Sequence, residues 1–390
     1  MGQSSDSQKK ILFISYMYLD YHMCKVSRFN ILEQLSIIGH QTFLYAACIN
    51  KKDIKESSMN FTQFYSSVPG VQILNFIVYQ LKSLFKIPYI IFNNKIDVVI
   101  CDINSTPSIL HLLILKKLRI IDTVFILDFR SNILHSRKNR LQTFLKRIYL
   151  KAFIKMSSIL YDGFTFITDS MKKHIEKVYN VAFKKSTIWS SAVSDNFLAK
   201  KRMIKNFKFI ILHHGSLERG RGIMRLINAM YLIRPAIMDS VELAIAGNGS
   251  LTKAINHESL KNDSHVKFYG QLEENEVINL IDSASICVVP FDNSVANATS
   301  SPLKLMEYIS RDKIILATQL ENFKTNFKDY NGLYFFNTNE PKDIALLIEE
   351  LIINYNQYLS KKLNNGSDII RKNYTWSIQA KKIDTFLKTL

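Results

Sequence analysis

The chain has 390 residues, of which 47% are hydrophobic, and a formal net charge of +18. This length predicts two domains of about 200 residues each, and the composition excludes an intrinsically disordered protein. The four cysteines are scattered and form no C-x-x-C pair, which argues against a disulfide scaffold or a zinc site and favours a reducing cytoplasm.

The positive charge is concentrated in the first half of the chain. Residues 1–200 contain 27 Lys or Arg against 13 Asp or Glu, whereas residues 201–390 contain 24 against 20. The opening MGQSSDSQKK lacks the apolar core of a signal peptide, and charged residues interrupt the longest apolar runs. We therefore expect a cytoplasmic protein without a membrane-spanning segment, whose basic surface lies in its N-terminal half.

The first half reads as alternating strands and helices. Residues 10–16 form an apolar run too short for a helix, which predicts a buried parallel strand. A helix is expected over about 26–38, ending at the left-handed cap Gly39, and a second strand over 41–47. Further strands are predicted at 96–101, 124–127, 163–168 and 185–189.

Polar residues follow two of these strands. In open α/β sheets the carboxyl ends of the strands line the ligand crevice, so Asp102, Asp128 and Arg130 are candidates for a site in the first half. His135 is a further candidate, for which a surface role is favoured over catalysis.

The second half repeats this alternation more clearly, after a linker predicted at 198–206. Strands are expected at 207–214, 241–246, 265–269, 285–289 and 313–318, with helices near 222–233, 251–260, 273–283, 302–310 and 322–328. Strands that alternate with helices at this spacing predict a parallel, doubly wound sheet.

The stretch NATSSPLKLMEYISRDKII predicts a helix that begins near Pro302, with Ser301 as its cap. The free N–H groups of Leu303 and Lys304, the helix dipole and the Lys304 ammonium favour a diphosphate. Glu307 lies roughly 6–8 Å farther along the helix, a distance that suits the ribose of the same nucleotide. The alternative is an ordinary capped amphipathic helix with a solvated Glu307.

Three loops of the second half point to the same edge of the sheet. GSLERGRG at 215–222 joins a strand to a helix, and either Arg219 or Arg221 is placed to pair with a diphosphate. Gly-Asn-Gly at 247–249 and the polar loop at 290–300 also follow strands. Each loop alone is weak evidence for a site, but successive strand ends of one parallel sheet face one crevice.

The segments GSLERGRGI, LAIAGNGS, HVKFYGQL, SICVVPF, SPLKLMEYISRDKIILAT and NYTWSIQAKKI occur in this order. Their order and spacing resemble the C-terminal domain of retaining, nucleotide-sugar-dependent glycosyltransferases of family 4. The resemblance implies the α/β GT-B fold, with two facing Rossmann-like domains at 1–197 and 198–374. A helix at 375–390 would return to the first domain.

The resemblance also assigns roles to residues. Glu307 corresponds to the carboxylate that binds the donor ribose, and Arg221 to the basic residue that neutralises the diphosphate; these two are the predicted catalytic residues. The remaining donor-binding positions would be Gly215, Ser216, Arg219, Gly247, Asn248, Gly270, Gln271, Leu272, Ser301, Pro302, Leu303 and Lys304. The donor is a substrate rather than a cofactor, and a UDP-sugar is preferred.

Two departures qualify the resemblance. Many relatives carry an acidic residue where this chain has Thr299, and the usual histidine of the N-terminal domain has no clear counterpart. No D-x-D motif occurs in the chain, so we expect no metal site, and basic side chains and helix-end N–H groups would stabilise the leaving diphosphate.

The predicted function is retaining transfer of a sugar to a glycan or lipid-linked acceptor in cell-envelope polysaccharide or glycoconjugate biosynthesis. One alternative is a catalytically idle GT-B protein that binds a sugar nucleotide or a partner glycosyltransferase. A nucleic-acid binder is disfavoured, since no stacking platform or zinc knuckle is seen.

Residues 137–156 contain seven basic residues and no acidic one. Apolar residues recur at helical spacing (Leu141, Phe144, Leu145, Ile148 and Ala152), and Arg140, Arg147, Lys151 and Lys155 occupy much of the remaining surface. This pattern predicts a helix that lies on an anionic membrane surface, as a peripheral attachment at the inner face of the cell membrane. A core helix with a solvated basic face is the alternative.

Overall fold

The computed structural model describes residues 8–18, 22–49, 60–70, 72–130, 140–199, 208–261, 265–359 and 365–390. Within these ranges the side chains of 22–25, 72–73, 140–147 and 149 are left undescribed. The chain forms two compact units. Unit 1 comprises residues 1–191 and 376–390, and unit 2 comprises residues 192–375.

Unit 1 contains seven strands: β1 Lys10–Tyr18, β2 Gln41–Cys48, β3 Thr62–Ser67, β4 Val98–Asp102, β5 Val124–Phe129, β6 Gly163–Phe166 and β7 Ser186–Ile188. Its helices are α1 His22–Ile37, α2 Gln72–Asn94, α3 Thr106–Lys117, α4 Arg140–Leu160, α5 Asp169–Tyr179 and the last helix of the chain, α16 Trp376–Leu387.

The strands of unit 1 form one parallel sheet in the order β3-β2-β1-β4-β5-β6-β7. β1 is an interior strand, where Ile11 pairs with Thr42 of β2 on one side and with Val98 of β4 on the other. Consecutive residues of β1 are buried because helices cover both faces of a parallel sheet. α16 packs against α1.

Unit 2 contains β8 Phe209–His214, β9 Val241–Ala246, β10 Val266–Phe268, β11 Ile286–Val289, β12 Ile314–Ala317 and β13 Leu333–Phe335. Its helices are α6 Ile223–Met230, α7 Pro235–Met238, α8 Thr252–Ser259, α9 Glu274–Ser283, α10 Val295–Ala298, α11 Leu303–Ser310, α12 Glu321–Asn326, α13 Pro341–Ile353, α14 Tyr355–Leu359 and α15 Gly366–Asn373. Two 3-10 helices cover Asp195–Leu198 and Arg219–Arg221.

The second sheet is also parallel, in the order β10-β9-β8-β11-β12-β13. Alternate residues of its strands enter two separate cores. Ile211 and Leu243 belong to one core, and Leu212 and Ala244 belong to the core that also contains Tyr308 of α11. This alternation is what a sheet covered by helices on both faces requires, and it confirms the predicted doubly wound α/β class.

The sequence analysis missed two strands and placed one boundary late. β3 reads TQFYSS and β13 reads LYF; the first is polar and the second very short, so neither resembles a buried strand. The change from unit 1 to unit 2 falls after 191 rather than 197. The reason is that Val193 bridges to Thr375 and Phe197 packs into a core of unit 2.

Over the described ranges, no helix is both long enough and apolar enough to span a membrane.

Candidate functional site

The carboxyl ends of three strands of unit 2 are joined by backbone hydrogen bonds. The N–H of Gly215, after β8, donates to the carbonyl of Ala246 at 2.9 Å, and the N–H of Gly247, after β9, donates to the carbonyl of Gly270 at 2.6 Å. Leu217 donates to the carbonyl of Asn248 at 3.0 Å. The predicted loops at 215–222, 247–249 and 270–272 therefore lie side by side.

Two of these positions require glycine. Gly247 has φ +134°, and a Cβ there would lie 1.9 Å from the carbonyl oxygen of Gly215. Gly215 has φ +103°, and a Cβ there would lie 3.2 Å from Cε of Lys304. The backbone conformation favours glycine at both positions, and at 215 its absent side chain also leaves room for the lysine.

Helix α11 begins one residue later than predicted, and the predicted Ser301 cap is wrong. Pro302 is the N-cap residue, with φ −78° and ψ 111°, and no side chain caps the helix. This extended conformation places Pro302 outside the helix. Leu303 and Lys304 thus form the first turn, whose N–H groups have no partner within the helix.

Two cationic side chains flank the ring of Phe291, which is buried. The guanidinium carbon of Arg221 lies 4.5 Å from the ring centroid, and Nζ of Lys304 lies 5.3 Å from it. Asn297 fixes the arginine, since its Oδ1 accepts from Arg221 at 3.0 Å while its Nδ2 donates to the carbonyls of Gly220 and Asp292. The arrangement holds two cations together at the edge where the loops meet.

Lys304 is almost completely buried, at 7% exposure. Its Nζ lies 3.2 Å from Nε2 of His213, whose Nδ1 lies 2.9 Å from the carbonyl of Val288. Because a carbonyl only accepts, Nδ1 of His213 must carry the proton, and its Nε2 accepts from the lysine.

The electrostatics of this pair follow from burial. Burial, and then the charge of Arg221, lower the pKa of Lys304 to about 7, while Glu307 opposes the shift. Burial and the neighbouring Lys304 lower the pKa of His213 well below its ordinary value, so its imidazole is neutral. An anion bound beside Lys304 would restore the charged ammonium.

Glu307 lies on the same helix as Lys304. Its Oε2 is 3.1 Å from Nε2 of His214, without the alignment of a hydrogen bond. The N–H of His214 donates to the hydroxyl of Tyr308 at 3.1 Å, and the two rings meet edge to face. The carboxylate is partly exposed and keeps acceptor capacity for a ligand.

The other predicted donor residues differ in their surroundings. Arg219 is exposed and has no ion pair within the described part of the chain, so it does not join the cluster around Phe291. Asn248 and Gln271 are exposed, and Ser216 and Leu272 are half-buried. Thr299 is 5% exposed, and its hydroxyl donates to the carbonyl of Val295 at 2.8 Å.

The candidates of unit 1 are engaged in holding the fold together. Asp102 accepts from the Ser15 hydroxyl at 2.7 Å and from the Tyr16 N–H at 2.8 Å, and Asp128 pairs with Arg28 and accepts from Thr165 at 2.6 Å. The Arg130 guanidinium stacks on Trp189, 3.5 Å from the ring centroid. Burial lowers the pKa of Arg130 to about 9. His135 lies outside the described residues.

Sequence reasoning missed the residues that surround the two cations and Glu307, namely His213, His214, Phe291, Asn297 and Tyr308. The pair His213–His214 at the end of an apolar strand, directly before a glycine, is a signal that was available. Phe291 and Asn297 gave no such signal, because a single aromatic or amide side chain in a loop belongs to no periodic pattern.

Comparison with solved structures shows the same architecture. A glycosyltransferase from Rickettsia africae ESF-5 is 14% identical over 98% of each chain, with a TM-score of 0.72. WaaG, a glycosyltransferase involved in lipopolysaccharide biosynthesis, is 14% identical over 96% of this chain and 99% of its own, with a TM-score of 0.71. Anabaena Alr3699/HepE, solved with UDP, is 11% identical over 98% and 100%, with a TM-score of 0.68.

The two doubly wound units define a protein of the GT-B class. Residues 195–367 match the model of the family glycosyl transferases group 1. The second unit belongs to that family, whose general activity is glycosyl transfer. No curated protein matches the chain.

Proposed function

We propose that the chain is a retaining glycosyltransferase that moves a sugar from a nucleotide-sugar donor to a glycan or lipid-linked acceptor. The observation that carries this proposal is the joint placement of Arg221, Lys304 and Glu307 at one edge of the second sheet. Two cations and the open turn of α11 suit a diphosphate, and a carboxylate one helical turn farther suits the ribose.

Each side chain then has a distinct task. Arg221 and Lys304 neutralise the diphosphate as it leaves, and the N–H groups of Leu303 and Lys304 donate to its distal phosphate. Glu307 accepts from the ribose hydroxyls. Such fixed donors require no reorganisation as charge develops, and removing one donor of this kind typically costs about 3–4 kcal/mol of transition-state stabilisation.

The same charges support a reaction without a divalent metal. The chain has no D-x-D motif to hold a cation on the diphosphate, and the two basic side chains lie where that charge is needed. We infer a front-face reaction in which the leaving phosphate oxygen helps to deprotonate the acceptor, with no protein nucleophile.

Uracil is the proposed base, and the turn Gly270–Gln271–Leu272 would hold it. The Anabaena protein was solved with UDP, with UDP and glucose, and with UDP-glucose. That protein has the same fold, and this supports a UDP-sugar as the first donor to test.

The membrane attachment proposed for 137–156 has support from helix α4. Leu150, Phe153 and Ile154 of α4 are buried, whereas Ile148 and Ala152 of the predicted apolar stripe are exposed. Lys151 and Lys155 are also exposed. The helix thus packs on the unit 1 core through a different face from the one predicted to meet the bilayer. Residues 137–139 of the predicted segment lie outside the described residues.

The envelope pathway and the lipid-linked acceptor remain proposals of the same kind. WaaG is involved in lipopolysaccharide biosynthesis, and its architecture is shared by this chain. A peripheral position at the inner face of the membrane would bring unit 1 to an acceptor carried on lipid.

A thermal-shift panel of UDP, GDP and ADP, followed by hydrolysis of the matching nucleotide-sugars, tests the proposal. A nucleotide at 100 times its dissociation constant should stabilise the protein by about 2.7 kcal/mol. Arg221→Ala should strongly reduce the response, whereas the matched change Arg219→Ala, of an exposed arginine in the same loop, should leave most of it. No response to any of the three nucleotides would refute the donor site.

A catalytically idle donor-binding protein is the second candidate, and Thr299 favours it. This buried threonine bonds to its own helix where many relatives present an acid to the sugar. The idle protein would bind UDP and its sugar conjugates and release no free sugar over hours, whereas measurable donor hydrolysis that Glu307→Gln abolishes would exclude it.

A further inference from the structure

The carboxyl edge of the unit 1 sheet holds two arginines and one aspartate around Trp189. Arg28 comes from α1, Asp128 lies on β5, Arg130 directly follows β5, and Trp189 directly follows β7. We call these four residues the Trp189 cluster. The guanidinium carbons of Arg28 and Arg130 lie 5.8 and 3.5 Å from the centroid of the Trp189 ring. The cluster thus lies at the edge where parallel α/β sheets bind ligands.

Arg28 takes the carboxylate of the cluster, and Arg130 is left without one. Nη1 of Arg28 contacts Oδ2 of Asp128, whose Oδ1 accepts from the Thr165 hydroxyl at 2.6 Å. Nη1 of Arg130 donates to the carbonyl of Trp189 at 2.5 Å. Among the residues that the structure describes, this guanidinium has no other hydrogen bond and no ion pair.

Neighbouring stretches of the chain do not supply the missing carboxylate. Asp102 pairs with Asp128 in the sheet register, and its two oxygens already accept from Ser15 and Ser105. Residues 131–139, which come next in the sequence, contain no Asp or Glu. The cluster therefore holds two cations against one carboxylate.

The unpaired cation is partly withdrawn from water. Arg28, Asp128 and Trp189 are at most 5% exposed, whereas Arg130 is half-buried and is the member of the cluster that a ligand can reach. Burial lowers the pKa of Arg130 to about 9; Asp128 opposes this shift and Arg28 adds to it. A desolvated charge without a counter-ion is costly, and an anion bound to Arg130 would offset that cost.

Trp189 adds a second unsatisfied donor. Its Nε1 is buried and has no hydrogen-bond partner within the described ranges. Buried N–H groups are nearly always paired, so an oxygen bound beside this indole would satisfy it. The stack on the indole also fixes the plane of the Arg130 guanidinium, and a fixed fork of N–H groups suits two oxygens of one phosphate or carboxylate.

We propose that Arg130 binds an anionic group of the sugar acceptor, a phosphate or a carboxylate, at the Trp189 cluster. The acceptor is then a phosphorylated or acidic sugar, and Arg130 selects it over a neutral one. The identity of the ligand as an acceptor rests on the proposed glycosyl transfer. Binding of the anion itself does not depend on the donor site.

The test uses inorganic phosphate and glucuronate as probes and the fluorescence of Trp189 as the readout. The chain has two tryptophans, so Trp376→Phe leaves Trp189 as the only indole. Phosphate, glucuronate or both should change its emission in a saturable way, and the anion that does so identifies the acceptor as phosphorylated or acidic. Glucose, which lacks the carboxylate of glucuronate, should give no response.

Variants made in the Trp376→Phe background assign the response to Arg130. Arg130→Gln should raise the dissociation constant of the anion at least about tenfold, because it removes a charge-assisted contact. Arg130→Lys keeps the charge without the planar fork and should give an intermediate value. The matched control Lys117→Gln removes an exposed charge at the far end of α3 and should leave the constant unchanged. Circular dichroism should show each variant folded, since neither substituted side chain is fully buried.

Three outcomes would overturn the proposal. The first is an emission that neither anion changes, and the second is an equal response to glucose. The third is a response that Arg130→Gln retains and Arg221→Ala removes, which would place the anion at the donor site of unit 2. UDP-induced thermal shifts measured on the same variants report the donor site separately. Their absence beside an intact Trp189 response would contradict the donor site alone, and the reverse result would contradict the Trp189 cluster alone.

Discussion

Raising the pH from 7.0 to 8.5 should weaken UDP binding by about sixteenfold, because it removes the proton of Lys304. In the free protein, burial and Arg221 lower the pKa of Lys304 to about 7. The ammonium is then present in roughly half of the molecules at pH 7.0 and in roughly 3% at pH 8.5. When only the protonated form accepts the diphosphate, the apparent affinity falls in proportion to that fraction.

The sign of this effect follows from the anion. A diphosphate beside Lys304 raises its pKa towards the ordinary value, so binding takes up a proton above pH 7 and is favoured as pH falls. His213 contacts the same ammonium but does not titrate in this range, because its pKa is held well below its ordinary value. Arg221→Ala should weaken binding and also move the midpoint of the profile to higher pH, since Arg221 lowers the pKa of the lysine.

Isothermal titration calorimetry of UDP at pH 7.0, 7.5, 8.0 and 8.5 is the assay, repeated in buffers of different ionisation enthalpy. Proton uptake should rise from about one half to nearly one proton per UDP across this range. Lys304→Met, which lacks the titrating group, should bind weakly with a flat profile. A pH-independent affinity in the wild type, with no proton uptake, would refute the reasoning about Lys304.

Three further predictions concern the site and its surroundings. Glu307→Ala should leave the fold intact and lower kcat/KM by at least tenfold, since a lost charge-assisted contact costs about 1.5–3 kcal/mol; near-normal turnover at subsaturating donor would contradict the ribose assignment. EDTA should leave transfer largely unchanged, and loss of activity restored by manganese or magnesium would show a metal requirement. Arg147→Glu/Lys151→Glu should reduce sedimentation with anionic liposomes at low salt, where each basic residue contributes about 1 kcal/mol; equal recovery on neutral and anionic liposomes would favour the solvated basic face.

The placement of the candidate site could be predicted because the topology of a parallel sheet largely determines it. Once β8, β9 and β11 are recognised as parallel strands, their carboxyl ends must share an edge, and Arg221 and Glu307 follow from their positions after β8 and β11. The turn positions of the glycines at 215 and 247 could also be predicted from the sequence, since other residues rarely adopt such backbone conformations.

The sequence could not reveal the contacts that set charge and orientation in the candidate site, because the contacting residues lie far apart along the chain. The neutral state of His213 follows from its contacts with Val288 and Lys304, and Asn297 orients Arg221 across 76 positions. Asp102 looked like a site residue until its hydrogen bonds to Ser15 and Tyr16 were known. Such long-range contacts leave no period or motif in the sequence.

The sequence could not show which apolar residues of α2 stay exposed, for a different reason. An apolar residue every three or four positions predicts a face turned towards a core, and the apolar positions of α2 include two such faces. Only the fold shows that Ile87 belongs to the buried face and Phe85 to the exposed one.

A crystal structure of the protein with UDP would test the central claim most directly. We predict diphosphate oxygens within hydrogen-bonding distance of the Arg221 guanidinium, of Nζ of Lys304 and of the first N–H groups of α11, with the ribose hydroxyls on Glu307. UDP bound elsewhere on the chain, or bound at this edge with its ribose away from Glu307, would contradict the account.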